Sequence, residues 1–100
     1  MDDLAKRTTE FGEALQRLAL FVPVSKEEMG RWYEEAEILK RDYLYGSNGL
    51  APYLSFFIWH YLADADIRMK STDYAAVQQD RVSQLITNLK QGVLPSDEDT

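Results

Sequence analysis

Apolar residues recur along this chain at helical rather than strand spacing, in four runs separated by short polar breaks. In the first run Leu4, Phe11 and Leu18 fall seven apart, with Thr8, Leu15 and Val22 as a companion row. This puts one apolar stripe on a helix over about 4–22. Two heptads are too few for a coiled coil, so packing against ordinary neighbouring helices is expected. Pro23 ends the helix, because the residue before proline is pushed out of the α region. Leu20 lies opposite the stripe.

The second run has a strong start signal. Ser25-Lys-Glu-Glu28 is a capping box, in which the Ser25 hydroxyl accepts from the Glu28 amide and the Glu28 carboxylate reaches back toward Ser25. Met29, Trp32, Tyr33, Ala36, Leu39 and Tyr43 follow on one face of a helix over 26–45, and Gly46 is placed to be its left-handed cap. Gly46-Ser-Asn-Gly49 reads as a loop.

The third run, Leu50 to Ala63, is apolar on every side. Only Ser55 and His60 are strongly polar in it, and it holds five of the twelve aromatics. At roughly 20 residues per bilayer span it is too short to cross a membrane. A helix apolar all round must be covered by protein. With Pro52 in the first turn, a helix over 51–70 is predicted, its second half amphipathic and carrying the i,i+4 pairs Asp64/Arg68 and Asp66/Lys70. Ser71-Thr-Asp73 caps a fourth helix over 73–91, with Tyr74, Val77, Val82, Leu85, Ile86 and Leu89 on its broad apolar face and Gly92 at its end.

Four helices with short loops predict an all-α, four-helix antiparallel bundle over residues 1–95 with the strongly apolar third helix innermost. Residues 96–100 read as a disordered acidic tail. Three amphipathic faces barely enclose such a helix, and Tyr53, Trp59 and Tyr61 would need polar partners inside. The surplus apolar surface points to a homodimer or a protein partner. Ile38 lies opposite the core face of the second helix, on a row with Tyr45.

Composition narrows the function classes. The net charge is −6, divided as −3 in each half, so no basic stripe exists to neutralise phosphates or anionic lipid. Neither direct nucleic-acid binding nor membrane binding is expected. The absence of cysteine removes disulfides, thiolate catalysis and Cys-based zinc sites, and it suits the cytoplasm. The N-terminus lacks the apolar core of a secretory signal.

Candidate chemistry is sparse. His60 is the single histidine and Asp64 lies four residues on, the spacing of a base and its orienting carboxylate, or of two metal ligands. No further ligand motif or phosphate loop accompanies them, so neither catalysis nor a cofactor is expected. Glu28, Glu35 and Asp42 form an acidic row beside the Trp32/Leu39 edge of the second helix, with Glu27 and Glu34 further round. Arg31 is placed to pair with Glu34. Such a row can steer a basic protein or imitate nucleic-acid charge, and a plainly solvated face is the simpler alternative. The sequence therefore reads as a small, acidic, non-enzymatic interaction module, its partner surface formed by Glu28, Glu35, Asp42, Ile38 and Tyr45. The alternative is a small-molecule-binding bundle with an aromatic pocket of Tyr53, Trp59, His60 and Tyr61.

Overall fold

The computed structural model describes residues 3–46, 49–54 and 56–94. The chain is all-helical over these residues, with helices α1 (Asp3–Leu20), α2 (Lys26–Leu39), α3 (Phe56–Ala63), α4 (Ala65–Lys70) and α5 (Thr72–Lys90). A π-helical turn, Lys40–Leu44, extends α2, and a 3-10 turn, Ala51–Tyr53, precedes α3. The acidic tail read from 96–100 lies outside the described residues, as do Ser47, Asn48 and Ser55.

The first helix forms as its stripe requires. Thr8, Phe11 and Leu15 are fully buried and Leu18 nearly so, while the Thr8 hydroxyl donates to the Leu4 carbonyl at 2.7 Å. The helix ends at Leu20, two residues short of the predicted boundary, so Val22 leaves the stripe and is 68% exposed. In α2 the capping box is made with a shift. Ser25 Oγ accepts from the Glu28 amide at 3.1 Å, but Glu28 Oε1 accepts from the Val24 amide at 3.0 Å, one residue earlier than expected. The predicted glycine caps are both in the left-handed region, Gly46 at φ 93° and Gly92 at φ 80°.

Toward the end of α2 the hydrogen bonding widens, and the Tyr45 amide donates to the Lys40 carbonyl five residues back. A widened turn rotates the register. Leu44 becomes fully buried and Tyr45 swings out to 54% exposure.

The predicted single helix over 51–70 is broken into three pieces. Leu54 is extended at φ −110°, ψ 149°, and Asp64 leaves the helical region at φ −108°, ψ 21°. The Asp64 carboxylate is drawn to α5, where Tyr74 Oη donates to it. The apolar segment is not covered on every side either. Phe57, Ile58, Tyr61 and Leu62 are buried, but Phe56 is 72% exposed. The most extensive helix–helix contact among the described residues is instead between α1 and α5, which run antiparallel, Gly92 near Ala5 at one end and Gln79 bonded to the Ala19 carbonyl at the other. At their crossing Gly12 stands where a Cβ would lie 2.8 Å from Leu89 Cβ and 3.0 Å from the Lys90 amide nitrogen. Helix α2 also runs antiparallel to α1, with Phe11 against Tyr43 at one end and Phe21 under Arg31 at the other.

The surface pairs read from spacing are replaced by tertiary contacts. Among the described residues neither Asp64/Arg68, Asp66/Lys70 nor Arg31/Glu34 forms an ion pair within 4.0 Å. Asp66 accepts from Tyr33 Oη at 3.1 Å, and the Arg31 guanidinium sits 5.5 Å from the centre of the Phe21 ring.

Candidate binding grooves

A groove of about 480 Å³, lined from Phe21 to Asp42, lies between α1 and α2. Leu18 and Leu39 belong to its floor, Ile38 is 40% exposed in it, and Glu34, Glu35 and Asp42 edge it. Three of the five expected partner-binding residues, Glu35, Ile38 and Asp42, therefore meet in one place. Glu28 is absent from this lining and is engaged at the helix start by the Val24 amide. Tyr45 turns toward α3 and stacks on Trp59, ring centres 6.2 Å apart and planes 16° from parallel. Neither Glu34 nor Glu35 has a basic group within 4.0 Å among the described residues, whereas Asp42 pairs with its neighbour Arg41 at 3.1 Å. Arg17 and Arg31 stand on the same groove, Arg31 at its Phe21 end.

The four expected pocket residues point different ways, as neighbours 100° apart on a helix must. Tyr61 faces inward against Trp32, ring centres 5.8 Å apart. Trp59 is half-buried against Tyr45. His60 is exposed and lines a groove with Phe56, Phe57, Val77 and Arg81, while Tyr53 lines another against the start of α1. The Asp64 carboxylate is held by Tyr74, with Gln78 Nε2 at 3.4 Å, and so does not orient His60. Among the described residues no group of three or more His, Cys, Asp or Glu side chains could hold a metal ion. No helix among them is long and apolar enough to cross a membrane.

The structure also builds a site the spacing did not reveal. The Arg68 guanidinium is wedged between two rings, 4.1 Å from the centre of Tyr61 and 4.9 Å from that of Trp32. Its Nη1 donates to the Tyr61 carbonyl at 2.8 Å and to Gln78 Oε1 at 2.6 Å. Burial pushes the Arg68 pKa down, opposed by Tyr61, Asp64, Tyr33 and Tyr74. The tyrosines around it shift the other way. Burial raises Tyr61 and Tyr33, and donation to Asp64 raises Tyr74. Spacing alone casts Arg68 as a helix-surface partner of Asp64. The seven-residue spacing from Tyr61, which puts both on one helical face, was the one available hint.

No protein-family model matches this chain, and no curated protein or solved structure matches it.

Proposed function

We propose that this chain is a non-enzymatic protein-interaction module, an antiparallel helical bundle that holds a basic, amphipathic segment of a protein partner in the α1–α2 groove. The observation that carries this reading is Ile38, 40% exposed in a groove whose edge bears the carboxylates of Glu34 and Glu35 without a cation within 4.0 Å among the described residues. The apolar floor supplies burial, and the acidic edge supplies steering and selects partner charge. Arg17 and Arg31 also line the groove and Asp42 is paired with Arg41, so Glu34 and Glu35 are the carboxylates left to meet the segment's basic residues. His60 is exposed and Asp64 is engaged by Tyr74, which favours binding over catalysis. The cysteine-free composition fits action in the cytoplasm.

The test uses a labelled helical peptide of leucine and lysine, titrated by fluorescence anisotropy. Ile38→Glu, and Glu35→Lys with Asp42→Lys, should each weaken binding by about tenfold or more with helicity unchanged, a loss of about 1.4 kcal/mol. Glu28 is left intact, since its carboxylate serves the helix start. Unaltered affinity in both variants would overturn the proposal.

A separate observation favours self-association. Phe56 and Val77, 72% and 60% exposed, flank one groove on the α3–α5 side. A second copy covering them would remove from water the most exposed aromatic side chain among the described residues.

A further inference from the structure

We infer that the groove between the end of α1 and the α4–α5 turn binds an anionic amphiphile, a single-chain carboxylate whose head group meets Arg68. This groove lies apart from the α1–α2 groove, and the inference does not depend on the reading of that surface.

Three observations combine. The groove has a volume of about 390 Å³, within the range of roughly 300–1,000 Å³ usual for small-molecule sites. Its walls are apolar, with Phe21, Trp32, Tyr61, Met69 and Ala76 among them, and Arg68 is the only charged side chain lining it among the described residues. That makes it a cationic point in an apolar trough on a protein of net charge −6. Second, Arg68 is held rigidly but not neutralised by direct contact. The two rings fix its plane, and both of its hydrogen bonds leave from Nη1 to neutral acceptors. No carboxylate lies within 4.0 Å of it among the described residues; Gln78 stands between Arg68 and Asp64, whose charge favours the guanidinium from a distance. Guanidinium is a planar donor matched to carboxylate, and prior fixation removes the entropy cost of orienting it. Third, the groove opens past Val22 and Met69, 68% and 45% exposed, leaving an apolar path for a flexible tail. Partial burial disfavours the Arg68 charge, so an incoming anion relieves an existing deficit. A ligand with only a charge would forfeit the walls, and one with only a chain would forfeit the arginine.

The test follows the emission of Trp32, which is fully buried against this groove, in the full chain carrying Trp59→Phe so that Trp32 is the single tryptophan. Dodecanoate, kept below its micellar threshold, should saturate a change in emission. Dodecanol and acetate should bind at least about tenfold more weakly. Ala76→Trp, which adds bulk at a lining position that makes none of the polar contacts of Arg68, should abolish the dodecanoate response when read by isothermal calorimetry, with helicity retained. Arg68→Gln should bring dodecanoate down to the level of dodecanol. Ala76→Trp keeps the test decisive if the Arg68 variant fails to fold. The inference is overturned if dodecanoate does not bind, if dodecanol binds equally, or if Ala76→Trp leaves the affinity unchanged. It is also overturned if a second copy occupies the groove, seen as a dimer that Ala76→Trp dissociates and that excludes dodecanoate.

Discussion

Gly12 and Gly30 are the same residue type on two neighbouring helices, and alanine has opposite consequences at the two positions. At Gly12 an added Cβ meets Leu89 Cβ at 2.8 Å and the Lys90 amide nitrogen at 3.0 Å, so the α1–α5 crossing itself would have to widen. Overpacking of this kind costs about 1–3 kcal/mol and outweighs a helix-propensity gain of up to about 1 kcal/mol. At Gly30 nothing lies within 4 Å of the added carbon. Gly12→Ala should therefore lower stability by about 1–2 kcal/mol, and Gly30→Ala should raise it by about 0.5–1 kcal/mol. Urea melts of both variants give the sign directly, and a Gly12→Ala chain as stable as the parent or more so would refute the close crossing. The capping role of Ser25 was legible in the sequence because it depends on residues three apart. The importance of Gly12 was not, because it depends on a partner 77 residues away in α5.

At the scale of elements, α1, α2 and α5 were legible from periodicity and from caps at Ser25, Ser71, Gly46 and Gly92, each a local chemical choice. The breaks at Leu54 and Asp64 were not legible. Pro52 near Leu54 reads equally well as the first turn of one continuous helix, and Asp64 is turned by a contact with Tyr74 on another helix. The site was legible in the same proportion. Glu35, Ile38 and Asp42 meet because they share one helix face, whereas the Arg68 wedge needs Trp32, Tyr61 and Gln78 from three helices. These inter-helix ties carry a pH signature. Tyr33, Tyr61 and Tyr74 have pKa values raised above the ordinary tyrosine value of 10.0, so the folded chain holds their protons more tightly than the unfolded chain. Their contribution is fully present below about pH 10 and is lost as pH rises through the raised values. Denaturant midpoints should stay level from neutrality to about pH 10 and then fall, more gently in Tyr74→Phe. A midpoint that rises above pH 10 would contradict the assignment.

At the scale of the whole molecule, the radius of gyration of 13.3 Å matches the roughly 13 Å expected of a compact body of 100 residues. A body this small cannot hide all of its apolar surface; some of the remainder is scattered, as at Leu20 and Val24, and part of it borders three grooves: Ile38 between α1 and α2, Val22 and Met69 around the Arg68 groove, and Phe56 with Val77 on the α3–α5 side. The last predicts self-association. Light scattering at micromolar concentration should give twice the 11.6 kDa chain mass, and Phe56→Glu should return it to the chain mass with helicity intact. A wild-type chain that scatters as a monomer throughout that range removes this reading without touching the other two surfaces. The central claim is that the α1–α2 groove receives a basic amphipathic segment. Its most direct measurement is the amide chemical-shift map of the isotope-labelled chain titrated with the leucine–lysine helical peptide. The account predicts that the largest shifts fall on Leu18, Glu34, Glu35, Ile38 and Asp42, with Phe56 and Val77 unmoved. Shifts confined to Phe56 and Val77, or no shifts at saturating peptide, would contradict it.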